Sequence, residues 1–181
     1  MKFTETCLPG AYIIDIEPVA DDRGFFARSW CKNEFAAQGL NTSLAQCNIS
    51  SNKKKGTLRG LHYQESPYEE AKLVRCTRGA IYDVIVDLRP ESLASWAWIA
   101  VELSADNGRM LYIPEGFAHG FQTLTDDAEV LYHMSEFYHP EAAHGVPWND
   151  PALGIDWPIT PPSLSVRDQS HPCLQRGSTP R

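Results

Sequence analysis

Residues 72–90 read KLVRCTRGAIYDVIVDLRP, and their apolar side chains recur with the period of two that a pleated strand imposes, not the 3.6 of a helix. The Arg78-Gly79 pair breaks the run, so two strands joined there as a hairpin are expected. Further strands follow at WAWIAVELS (96–104), RMLYIP (109–114), FQTL (121–124) and EVLYHMSEFY (129–138), each bounded by Gly, Pro, Asn or Asp. Short strands at this spacing predict an all-β protein, a sandwich or barrel with Greek-key or jelly-roll connections.

Helix is scarce. One short element is expected over 32–40 (KNEFAAQGL), capped by polar residues near Asn33, stopped by a left-handed Gly39 and packed outside the barrel. Beyond Trp148 the prolines of WNDPALGIDWPITPPSLSVRDQSHP forbid a long regular element. An ordered segment wrapping the barrel to about Pro172 is expected, then a loose tail over 173–181.

The 181 residues, 43% hydrophobic, suffice for one core, so a single domain over 1–181 is expected. No apolar run approaches the roughly 20 residues of a membrane span, and MKFTETCLPGAY lacks a signal peptide's apolar stretch. The expectation is a cytoplasmic protein with no membrane contact. Cys7, Cys31, Cys47, Cys76 and Cys173 are odd in number and never spaced C-x-x-C, which argues for reduced thiols. A net charge of −7 disfavours a nucleic-acid partner, and the lysines at 53–55 read as a solvated turn.

Two histidines stand out. In GRMLYIPEGFAHGF, the spacing of Gly108, Pro114, Gly116 and His119 resembles the second motif of the cupin barrels, whose histidine often binds metal. The first motif would add H-x-H, but LHYQ offers His62 and then Gln64, an amide and a poor transition-metal ligand. No metal is therefore expected. Taken alone, His62 and His119 are each more often a hydrogen-bonded core residue than a catalytic or ligating one. Gly60, however, can bulge its strand, and one extra residue there would turn Arg59 and His62 into the same cavity.

The segments DDRGFFARSW, QCN, GTLRGLHYQ, KLVRCTRGAIYDVIVDLR, LYIPEGFAHGFQTL, VLYHMSEFYHPE, WNDPALGIDWP and LSVRD occur in order over roughly residues 10–170. Together they resemble the dTDP-4-dehydrorhamnose 3,5-epimerase family, cupin-fold epimerases of sugar nucleotides. In a 4-keto-6-deoxyhexose, carbons 3 and 5 flank the carbonyl, so loss of either hydrogen leaves an enolate whose charge rests on oxygen 4. Inversion needs a base on one ring face and an acid on the other. The resemblance implies His62 as base, Asp168 as its orienting carboxylate, Tyr132 as acid, and Lys72 as the cation beside the carbonyl. It further implies substrate contacts from Arg23, Phe26, Arg28, Gln46, Asn48, Arg59, His119, Tyr138 and Arg167, no cofactor, and a homodimer whose N-terminal strand, with Arg23 and Phe26, reaches the partner's site.

Arg28 and Ala143 stand where the family commonly has glutamate, and His133 where a lysine often follows the tyrosine. Thymine has a ring N–H for a carboxylate, whereas cytosine offers acceptors better suited to arginine. The sequence thus leaves the base open between dTDP and CDP or another nucleotide, and leaves open whether one carbon or both are inverted. A metal-dependent cupin oxygenase or isomerase and a non-catalytic sugar-nucleotide binder are the competing readings. The missing H-x-H counts against the first, and the joint presence of His62, Tyr132, Lys72 and Asp168 against the second.

Overall fold

The computed structural model of the chain describes residues 1–174. Two antiparallel sheets face one another. The first runs in the order β1 (Lys2–Glu5), β2 (Tyr12–Asp15), β10 (Met110–Ile113), β7 (Lys72–Arg78), β12 (Ala128–Met134) and β5 (Gln46–Asn52). The second runs β13 (Ala143–Gly145), β6 (Leu58–Gln64), β11 (Phe117–Thr123), β8 (Ala80–Asp87) and β9 (Trp98–Ser104). A separate ribbon pairs β3 (Val19–Asp21) with β4 (Gly24–Phe26), and two short helices complete the elements, α1 (Lys32–Ala37) and α2 (Val166–Gln169). This is the expected all-β jelly roll with a few peripheral helices.

The expected hairpin at Arg78-Gly79 is not one. β7 pairs with β10 and β12, and β8 pairs with β9 and β11, so the chain crosses between sheets at this point. Gly79 makes the corner at φ +70°, where an added Cβ would collide with Thr125 Oγ1. Crossing is favoured because β8 is buried on both faces: Ile81 and Ile85 fill the space between the sheets, and Val84 and Val86 pack on the outside. A hairpin ribbon would leave one of those faces in water.

Alternation sorts the remaining side chains. Val74, Cys76, Leu111, Ile113, Phe117, Phe121 and Val130 join Ile81 and Ile85 between the sheets. The outer face of the six-stranded sheet is covered by α1, whose Phe35 packs on Ile14, Leu73 and Tyr112. The helix is where the sequence puts it, but its N-cap is Cys31, without a side-chain hydrogen bond, and not a polar residue near Asn33. Gly39 does take the left-handed conformation, at φ +72°. The run expected as strand to Tyr138 stops at Met134, and the one expected at 121–124 starts earlier, at Phe117.

The proline-rich C-terminal segment covers the outer face of the five-stranded sheet. Trp157 packs on Leu58, Leu61 and Val84 and donates its Nε1–H to Trp148 O at 2.7 Å. Gln122 secures the segment from the sheet by exchanging two hydrogen bonds with the backbone of Ile159. A bond from Leu174 N to Asp150 Oδ2 ties its far end. The loose tail expected over 173–181 lies, beyond Leu174, outside the described residues. No helix among the described residues is long and apolar enough to cross a membrane.

Candidate functional site

Toward β5, β6 and β12 the sheets diverge around a cavity of about 840 Å³. Inward-facing residues of the five-stranded sheet form one wall, with Arg59, His62 and His119. The six-stranded sheet forms the other, with Gln46, Asn48, Lys72 and Tyr132, while Arg167 and Asp168 enter from α2 and Tyr138 lines the rim.

A bulge makes this convergence possible. His119 lies opposite His62 and Phe121 opposite Arg59, so two residues of β6, Gly60 and Leu61, face the single Gly120 of β11. Arg59 and His62, three apart in sequence, therefore point the same way, and Leu61 turns outward into the cluster under Trp157. Gly60 sits at φ +122°, where a Cβ would lie 2.5 Å from Gly120 Cα and 2.8 Å from His119 O. Only glycine fits that approach.

His62 Nε2 lies 2.6 Å from Asp168 Oδ1. Asp168 is buried, and Ser165 Oγ caps α2 by accepting the Asp168 N–H at 3.1 Å, so the helix start fixes the carboxylate. Burial alone would push the Asp168 carboxyl up. The His62 hydrogen bond and charge, the Ser165 bond and the nearby His171 outweigh it and hold the carboxyl below its ordinary range. An ionised carboxylate only accepts, so the His62 proton sits on Nε2 and the lone pair on Nδ1.

The opposite wall carries a phenol in a drier setting. Tyr132 packs on the apolar core, and burial raises its pKa above the ordinary value while the Arg59 charge draws it partly back. Lys72, also buried, places Nζ 2.9 Å from Glu70 Oε1 and 3.3 Å from the His62 carbonyl oxygen, which it donates to. Arg59 donates from Nε to Asn52 Oδ1 at 2.7 Å. His119 is held as His62 is, by a buried carboxylate, with Nε2 2.7 Å from Asp83 Oδ1.

Other expected residues do more local work. Gln46 Oε1 accepts the Tyr138 N–H at 2.7 Å, and Arg167 reaches Tyr138 Oη at 3.3 Å, so both position the rim aromatic. Asn48 Nδ2 lies 3.4 Å from Met134 Sδ. Gln64, in the place of the second cupin histidine, donates to Tyr68 O and Phe137 O and accepts from His139 N, which commits its amide to the backbone. His133 points away from the cavity, with Nδ1 buried and unpartnered, and burial lowers its pKa.

Three expected contact residues lie outside this chain's cavity. Arg23 is ion-paired with Asp21 on the exposed ribbon, Phe26 is 78% exposed, and Arg28 binds Glu34 Oε1 at 2.8 Å. Three residues in or behind the wall were missed in the sequence. Asp83 lies in the alternating run 72–90, where an acidic residue at an inward strand position was a usable sign, and Glu70 stands just ahead of that run, outside any pattern. His171, in an aperiodic segment, gave none, yet its Nε2 lies 3.7 Å from Asp168 Oδ1.

The family model described as dTDP-4-dehydrorhamnose 3,5-epimerase matches residues 5–176. The chain is 42% identical over 178 residues to the dTDP-4-dehydrorhamnose 3,5-epimerase of Salmonella typhimurium, covering 97% of each. Among solved structures, the Bacillus anthracis dTDP-4-dehydrorhamnose 3,5-epimerase, with TDP and PPi bound, superposes with a TM-score of 0.93 at 44% identity, over 96% of this chain and 99% of that one. A 3'-monoepimerase from Streptomyces bikiniensis in complex with dTDP-quinovose gives 0.86 at 36%, over 93% and 85%.

Proposed function

The chain belongs to the dTDP-4-dehydrorhamnose 3,5-epimerase family, and from that premise we propose that its cavity inverts carbons 3 and 5 of a nucleotide-linked 4-keto-6-deoxyhexose. The observation that carries the assignment is the His62–Asp168 pair on one wall of a cavity whose other wall holds Tyr132. A pyranose between the two sheets meets a base on one face and an acid on the other.

His62 Nδ1 removes the proton beside the ketone, and Asp168 balances the resulting imidazolium. Negative charge develops on oxygen 4, where the Lys72 ammonium stabilises it. Tyr132 then delivers its proton to the opposite face of the same carbon. Burial serves this step, because a phenol held above its ordinary pKa keeps its proton until the enolate forms. The cycle ends with the imidazolium and the phenolate exchanging protons with solvent, and no cofactor takes part.

Arg59, Arg167, His119, Gln46, Asn48 and Tyr138 are assigned to the diphosphate, sugar and base, since a chain of charge −7 must offer local cations to a pyrophosphate. We assign thymidine as the nucleoside. Arg28, the residue that pointed toward cytosine, is engaged by Glu34, and the B. anthracis relative holds TDP. Inversion at both carbons follows the nearer resemblance to the 3,5-epimerases, though the fold also serves a 3'-monoepimerase.

The β3–β4 ribbon belongs to neither sheet and exposes Val19, Phe25 and Phe26. Those apolar side chains support a homodimer in which the ribbon of one copy, with Arg23 and Phe26, completes the other's site, each copy being one domain. Solution NMR in heavy water tests the reaction: dTDP-4-keto-6-deoxyglucose acquires deuterium at carbons 3 and 5 if the assignment holds, and at neither if it does not.

A further inference from the structure

Beside the His62–Asp168 pair lies a second imidazole, His171, that the epimerase chemistry does not use. His171 follows α2, and its imidazole is nine-tenths buried against Gly145, the β13 residue paired with His62 in the sheet. A Cβ on Gly145 would lie within 2.6 Å of three atoms of the His171 ring, so the ring's seat exists because that position is glycine. The two imidazoles meet edge to face, with centroids 5.7 Å apart. His171 Nε2 is buried and has no hydrogen-bond partner.

One donor atom from each of His62, Asp168 and His171 lies within 4.8 Å of the others. We propose that these three residues form a site for a divalent transition ion of the Zn²⁺ class, and that the ion inhibits the enzyme by occupying the catalytic base. The inhibition, though not the site, rests on His62 being that base.

The donor set fits. Two imidazoles and a carboxylate suit a borderline ion such as Zn²⁺ better than Mg²⁺ or Ca²⁺, which prefer oxygen. Tetrahedral bonds near 2.0–2.1 Å set ligand atoms about 3.3 Å apart. The existing separations of 2.6 Å (His62 to Asp168) and 3.7 Å (His171 to Asp168) bracket that value, and with all three donor atoms within 4.8 Å of one another side-chain rotation brings them onto one ion. The orphaned nitrogen of His171 gains a partner. His62 is 40% exposed to the cavity, which gives the ion a path in and leaves its fourth position to water.

Inhibition follows from the imidazole itself. A ring with a metal on one nitrogen and a proton on the other has no lone pair for the substrate. The site also differs from the cupin position, which would use His62, residue 64 and His119; there Gln64 is committed to backbone.

The test is calorimetric titration of the full chain with ZnCl₂, run beside the heavy-water exchange assay, for wild type, His171→Ala and Gly145→Ala. Wild type is expected to bind one Zn²⁺ per chain and to lose exchange as it saturates. His171→Ala should keep exchange in the absence of metal and bind Zn²⁺ more weakly by about 100-fold or more, the upper range for losing even a supporting group. Gly145→Ala, which displaces the ring and removes no ligand, should weaken binding in the same direction. Equal binding by wild type and His171→Ala, as exposed thiols would give, overturns the proposal, as does no binding by wild type. If Zn²⁺ binds through His171 yet exchange runs undiminished at saturation, the site stands and the assignment of His62 as base falls.

Discussion

Asp168 Oδ1 lies 2.6 Å from His62 Nε2 across 106 residues of sequence, and α2 exists at the right place to put it there. Removing the charge while keeping the shape isolates what that contact does. In Asp168→Asn the amide can donate to Nε2 and stabilise the wrong tautomer. The equivalent change in hydrolase triads costs about 10⁴-fold in kcat. A fall of at least ~100-fold in kcat with little change in KM is expected, measured by steady-state kinetics.

The same pair has a signature in stability. The Asp168 carboxyl is held below its unfolded value of about 3.9. Its contribution to stability is therefore fully present above that value and is lost as pH falls through the lower folded value. Wild type should be more stable than Asp168→Asn near neutrality, and the gap should close in strong acid. Urea melts of both proteins across that range check the sign.

Tyr132→Phe should separate the two halves of the reaction. Proton removal by His62 survives, so deuterium still enters from the base side, while delivery to the opposite face stops and product with inverted carbons disappears. Burial raises the Tyr132 pKa and Arg59 partly offsets it, so the alkaline limb of kcat should lie above that of an ordinary phenol. Arg59→Gln should move that limb further up, read from a pH–rate profile.

Gly60→Ala probes the bulge. An alanine must take φ +122° and place its Cβ 2.5 Å from the Gly120 backbone, so a loss above ~3 kcal/mol is expected. If the variant folds, its strand has shifted and Arg59 and His62 no longer converge, so activity should fall with stability. Gln64→Ala removes three part-buried hydrogen bonds, to the Tyr68 and Phe137 carbonyls and from the His139 N–H, at a cost of roughly 1–3 kcal/mol in a chemical melt.

The nucleoside assignment predicts that dTDP binds more tightly than CDP in calorimetry. Arg28→Ala should change that preference little if its guanidinium stays on Glu34. CDP binding at least as tightly as dTDP would reverse the assignment.

How far the sequence carried depends on what each pattern encodes. Period two reports which side chains share a face, so the strands around 72–87 were legible. It does not report which strand is the neighbour, so the sheet switch at Gly79 was read as a hairpin. The bulge was legible because Arg59 and His62 could meet only with an extra residue at Gly60. The strands β1, β2 and β13 are too short to show a period, and the four residues of α2 too few. His171 acquires its surroundings only when the C-terminal segment folds back onto β13, a contact that no local pattern records.

The central claim is that the imidazole at position 62 takes the proton beside the ketone. Heavy-water exchange at carbons 3 and 5 of dTDP-4-keto-6-deoxyglucose, compared between wild type and His62→Ala with dTDP affinity measured in parallel, tests it most directly. The account predicts that exchange at both carbons collapses in the variant while the nucleotide still binds. Equal exchange rates in the two proteins would contradict it.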